Sequence, residues 1–168
     1  IRLLVPVCTS SQRLKLWGLI MATRTIADSL ARTESGGNYE ADNGLGYFGK
    51  YQFGEDRLKD LGLGAAFTME QYRTDPAVQE WVFNKHVADI DKFITDQGLD
   101  TYYGKSINDT PLTREGMIAV AHLGGKEGLR KYVTTGGKYN PSDAFGTSLS
   151  NYARTHGTAA AMQPEGSS

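Results

Sequence analysis

The chain has 168 residues, 39% of them hydrophobic and 22% charged, enough for one globular domain with a sizeable core. Its net charge of -1 excludes the strongly basic footprint of a dedicated nucleic-acid binder. With Cys8 as the single cysteine, an intrachain disulfide framework and a thiolate metal site are excluded as well.

Residues 1–20, IRLLVPVCTSSQRLKLWGLI, hold two apolar runs separated by polar and basic residues, and no apolar segment of membrane-spanning length. A secretory leader needs one unbroken apolar run, and Pro6, Gln12, Arg13 and Lys15 interrupt the nearest match, which leaves a degenerate signal as the second reading of this segment. Met21-Ala22-Thr23 has the look of a native start. Residues 1–21 are therefore expected to be an N-terminal extension, non-native or weakly docked as a short helix, ahead of a domain over residues 22–157. The small and polar residues 158–168 are expected to form a flexible tail.

Ile26, Leu30 and Ala31 have the spacing of a buried helical stripe, and the pair Gly36-Gly37 predicts the end of that helix. Glu34 then lies on the last helical turn, where the helix dipole and any burial both raise a carboxyl pKa, as a general acid requires. In Gly46-Tyr47-Phe48-Gly49-Lys50-Tyr51-Gln52-Phe53-Gly54 rings alternate with small and polar residues at the period of a short strand or hairpin. Aromatic faces, a glutamine amide and accessible backbone are groups that bind sugars, so a carboxylic acid beside them points to glycoside chemistry. Gly44 to Gly49 also fits G-x-G-x-x-G, but no buried strand precedes it and no helix follows. The P-loop reading fails because Tyr51 stands where a Ser or Thr belongs.

Glu55 to Leu61 predicts a short amphipathic helix closed by Gly62, and Thr68 to Tyr72 a further local turn. The strongest helix signal follows. Asp75 can cap it, Pro76 suits its first position, and Val78, Trp81, Val82, His86, Val87, Ile90, Phe93 and Ile94 recur at three- and four-residue spacing up to Gly98 as a two-sided apolar face. His86, on that stripe, is expected to be a core histidine with satisfied hydrogen bonds. Leu99 to Pro111 is polar and predicts a surface loop, and Asp91, Asp96 and Asp100 lack the spacing of a calcium loop. No metal site and no cofactor is expected. Thr113 opens a helix running to Gly124-Gly125, with a second helix from Glu127 to Thr135.

Three stretches resemble the lysozyme-like lytic transglycosylases and the similar goose-type lysozymes. Glu34-Ser35-Gly36-Gly37 with Gly49-Lys50-Tyr51-Gln52 is similar to an E-S-x-x … G-x-x-Q signature, in which the Glu is the catalytic acid and the Gln lines the cleft floor. Ala121-His122-Leu123-Gly124-Gly125 falls where that family has A-Y-N-A-G, with His122 and Leu123 in place of Tyr and Asn, so the family's amide near the acid is missing. Thr147 to Ala153 resembles its closing T-x-x-Y segment, and the resemblance implies that Tyr152 comes near Glu34.

The resemblance implies a mostly α, lysozyme-like α+β fold, a helical domain with a small β-hairpin region beside the cleft. It implies Glu34 as the catalytic residue, with Ser35, Tyr47, Tyr51, Gln52, Phe53, His122 and Tyr152 as substrate-binding residues. The implied reaction is cleavage of the β-1,4 bond between N-acetylmuramic acid and N-acetylglucosamine in the bacterial periplasm or cell wall. The partners are peptidoglycan strands, without nucleic acid or membrane insertion, and the chain is a monomer or a module of a larger assembly. Glu40, Asp42, Glu55 and Asp56 are the carboxylates nearest Glu34 in sequence, and none makes a convincing second catalytic group. A single acid fits a transglycosylase, with a group of the substrate as nucleophile. The alternatives are a chitinase-like hydrolase of the same superfamily and a non-catalytic glycan-binding or structural module of a phage particle or secretion apparatus.

Overall fold

A computed structural model describes residues 9–157. The expected tail at 158–168 and the start of the expected extension, including Cys8, lie outside them. The architecture is mostly α-helical with two small antiparallel hairpins.

Helix α1, Ser10–Ser35, is opened by a reciprocal capping box between Thr9 and Gln12 and closed at Gly36. It is longer than the apolar stripe predicts. Residues 10–21 continue the same helix outward and are all exposed, whereas Ile26, Leu30 and Ala31 are buried. The outer segment therefore does not dock as a separate short helix. It is held by the capping box and by helix-favouring Leu, Arg, Lys, Gln and Met.

After α1 the chain forms strands β1, Tyr47–Phe48, and β2, Phe53–Gly54, paired antiparallel with Tyr47 opposite Gly54 and Phe48 opposite Phe53. Helix α2, Glu55–Asp60, leads to α3, Met69–Thr74, where one full helical turn stands in place of the expected local turn. Helix α4, Pro76–Asp96, is capped by Asp75 as predicted and buries Val82, Phe83, His86, Val87, Ile90 and Ile94. Its apolar face is narrower than the sequence suggests. Trp81 is exposed, with Lys85 Nζ 4.7 Å above its ring.

The segment from Leu99 to Pro111 is more ordered than a surface loop. It holds a 3-10 turn, Leu99–Tyr102, and a hairpin of β3, Ser106–Ile107, with β4, Thr110–Pro111. Asn108 and Asp109 have φ of 50° and 58°, the two-residue turn whose twist matches paired strands. Helix α5, Arg114–Thr134, carries one break at Gly125, where φ is 74° and ψ 170°, and so reproduces the two predicted helical segments. Helix α6, Leu149–Gly157, packs along α5. A Cβ at Gly124 would lie 2.8 Å from Leu149, and one at Gly157 would lie 3.4 Å from Gly116 Cα, so these glycines allow the close approach. The core joins the inner half of α1, α4, α5 and α6, and it presents the C-terminal turn of α1 beside the β1–β2 hairpin.

Candidate active site around Glu34

Glu34 is the last-turn residue that α1 carries to the hairpin, and its side chain keeps only 17% of its surface exposed. Tyr152, on α6, donates a hydrogen bond of 2.6 Å to Oε1. The Glu34 pKa is raised first by burial and then by the negative charge of Asp143, and the Tyr152 hydrogen bond opposes both. Asp143 is the carboxylate that sequence reasoning missed. It sits in the turn before α6, where its Oδ1 accepts from the backbone N–H groups of Phe145 and Thr147 at 2.9 and 2.8 Å.

His122, on α5, completes the immediate surroundings. Its Nε2 is 3.7 Å from Glu34 Oε1, and 5% of its side chain is exposed. Burial lowers its pKa to about 4, a shift that the Tyr51 backbone carbonyl partly offsets and the Arg57 charge reinforces. The ring is therefore neutral near pH 7. Behind it His122 Nδ1 meets His86 Nε2 at 3.1 Å, and Arg57 Nε approaches His86 Nδ1 at 3.0 Å. Arg57 also pairs with Asp89 at 2.7 Å, which in turn receives Lys126 at 2.9 Å. His86 is thus buried and satisfied as expected, but its partners form a chain that ends at Glu34.

A cavity of about 230 Å³ opens beside this chain, and Tyr47, Gln52, Phe53 and His122 are all on its wall. Glu34 is not itself on the wall and adjoins it through His122. Tyr47 is 48% exposed and offers a ring face, and Phe53 lies edge-on to His86 and His122 at centroid distances of 4.8 and 5.4 Å. The Gln52 amide is already used. Its Nε2 donates to the Gly49 carbonyl at 2.9 Å and the Ala41 carbonyl at 3.4 Å, so the group left for a ligand is its oxygen, an acceptor only.

Two expected substrate contacts are placed differently. Tyr51 is 0% exposed, its ring stacked on Phe83 at 4.0 Å and its hydroxyl donating to Glu80 at 2.8 Å. Gly49 and Gln52 both have positive φ, so residues 49–52 turn rather than extend, and strand alternation no longer decides which way Tyr51 faces. The Ser35 hydroxyl donates to the Lys50 carbonyl at 2.7 Å and ties α1 to that turn instead of pointing to a ligand.

A larger cavity of about 710 Å³ lies elsewhere, between the middle of α1 and α4, with Leu19, Ile20, Ala27, Glu80 and Arg114 on its wall. Of the expected site residues only Tyr51 borders it. Among the described residues no group of three or more His, Cys, Asp and Glu is arranged to hold a metal ion, and no helix is long and apolar enough to cross a membrane. No protein-family model, curated protein or solved structure matches the chain.

Proposed function

We propose that this chain cleaves the β-1,4 bond between N-acetylmuramic acid and N-acetylglucosamine in peptidoglycan, with Glu34 as general acid. The observation that carries the reading is a half-buried carboxyl group of raised pKa, beside a cavity walled by Tyr47, Gln52, Phe53 and His122. A carboxyl whose pKa is raised keeps its proton to higher pH than an ordinary glutamate and can give it to the glycosidic oxygen as the bond to C1 breaks. The resulting carboxylate can then take a proton from the incoming nucleophile. If that nucleophile is the C6 hydroxyl of the same sugar, a bond forms between O6 and C1 and the product has a 1,6-anhydro end. If it is water, the product has a reducing end.

Water is the second route. Glycosidases that activate water use two carboxylates, and Asp143, whose charge acts on Glu34, is the residue to test for the second part. The site of action in this reading is the bacterial periplasm or cell wall. Digestion of purified peptidoglycan followed by mass analysis of the sugar ends separates the two routes, since the anhydro end is lighter than the reducing end by one water. Cleavage of a plain N-acetylglucosamine polymer in preference to peptidoglycan would favour a chitinase instead, and no turnover of either polymer would leave a binding module.

A further inference from the structure

The contacts between Arg57 and Glu34 admit one arrangement of protons. A guanidinium has donors and no acceptor, so Arg57 Nε, 3.0 Å from His86 Nδ1, donates to it. His86 Nδ1 then carries no proton, and the neutral ring holds its hydrogen on Nε2. That nitrogen is 3.1 Å from His122 Nδ1, which must accept, so the His122 hydrogen is on Nε2. His122 Nε2 lies 3.7 Å from Glu34 Oε1, so its one N–H is shared between that oxygen and the Tyr51 carbonyl. Both rings are neutral because burial, with added repulsion from Arg57, holds their pKa values down. The guanidinium is itself fixed, because its Nη2 donates to Asp89 while Nε serves His86.

We propose that Arg57 is a positioning residue for the acid: it sets the tautomers of His86 and His122 so that a ring N–H faces Glu34 Oε1, which leaves Oε2 to carry the transferred proton. One donor bonds to Oε1, the Tyr152 hydroxyl at 2.6 Å, and His122 Nε2 lies 3.7 Å from the same oxygen. Among the described residues no hydrogen bond reaches Oε2. At 3.7 Å the His122 N–H is beyond hydrogen-bond length and acts as an oriented dipole. It becomes a bond when a small shift of either side chain shortens the gap. As Glu34 gives up its proton, both groups stabilise the charge that appears. The catalytic consequence rests on the reading of Glu34 as the acid, whereas the tautomers do not.

The test is nitrogen-15 NMR of the histidine rings at pH 7. In the wild-type protein both His86 and His122 are expected to show an unprotonated Nδ1 and a protonated Nε2. A protonated Nδ1 on either ring overturns the proposal whether or not any variant folds. Arg57→Met removes the donor, so His86 should gain the Nδ1-protonated form and kcat on peptidoglycan should fall about 10- to 100-fold, the cost of a misplaced catalytic group. Unchanged tautomers in a folded Arg57→Met protein remove Arg57 from the role. A wild-type protein that cleaves no glycan overturns the reading of Glu34 instead, and the ring spectra still decide for or against the tautomer chain.

Discussion

Tyr152 donates its hydroxyl hydrogen to Glu34 across 118 residues of sequence, a 2.6 Å bond that fastens α6 to the end of α1. The bond favours the ionised form of Glu34, while the charge of Asp143 disfavours it. The two neighbours therefore pull the acid in opposite directions. Tyr152→Phe should raise the Glu34 pKa further, and Asp143→Asn should lower it. Activity that needs protonated Glu34 is lost as pH rises through this pKa. The alkaline limb of the kcat profile should thus move to higher pH in Tyr152→Phe and to lower pH in Asp143→Asn. Limbs that move together, or not at all, would show that neither side chain tunes the acid.

Glu34→Gln keeps the shape and loses the transferable proton. Cleavage should be abolished with the fold intact, because the amide can still accept from Tyr152. Digestion assays beside a circular-dichroism melt check both halves. Retention of more than about a few per cent of the wild-type rate would exclude Glu34 as the acid.

The parts of the site that could be read from the chain are those with a local signature. Glu34 precedes a glycine pair, Gln52 ends a G-x-x-Q turn, and α4 has an apolar period and a cap. Asp143, Arg57 and Asp89 carry no such signature, because their importance comes from folding contacts between distant elements. One signal was available. His86 and Asp89 are three apart on α4, which places them on one face and lets a single guanidinium span both. Tyr51 differs for the opposite reason: its aromatic spacing predicts a place on a platform, but the positive φ values at Gly49 and Gln52 turn the chain there and the ring is buried.

Residues 10–21 extend α1 away from the core and are exposed along their length. Deleting residues 1–20 should leave a folded domain with a melting temperature within about 3 °C of the full chain, since surface changes are worth little. Leu19 and Ile20 border the larger cavity but remain half exposed. Aggregation of the truncated protein, or a much larger loss on thermal melting, would place them in the core.

Gly49 is the tightest point of the β1–β2 turn. Its φ is 81°, and an added Cβ would meet the buried Gln79 side chain, whose amide donates to the Tyr39 and Tyr72 carbonyls and accepts from Lys50 N–H. Gly49→Ala must both strain the backbone and displace that amide, at a cost of roughly 2 to 4 kcal/mol. Urea unfolding reads this directly. A loss under about 1 kcal/mol, the scale of an ordinary surface change, would mean that the turn relaxes without breaking the Gln79 bonds.

The chain's three histidines, His86, His122 and His156, are all held below the ordinary value, with burial as the first cause in each case. His122 and His156 are lowered to about 4. A buried neutral histidine that gains a proton only when the chain unfolds adds stability at pH above its unfolded pKa, near 6.5, and that stability is lost as pH falls toward the folded value. Glu34 acts in the other direction. Its raised pKa makes the fold relatively more stable at low pH, but it is one group against three. The melting temperature should therefore fall steadily from about pH 6.5 to pH 4, before most carboxylates are protonated. His156 gives the sharpest check, because its Nδ1 shares a 2.7 Å bond with Ser29 and its Nε2 has no partner and is buried. His156→Phe should melt lower than wild type at pH 7.5, with Ser29 left unpaired, yet lose less between pH 6.5 and 4 because one of the three titrating rings is gone. Parallel curves for the two proteins would mean that His156 does not titrate on unfolding.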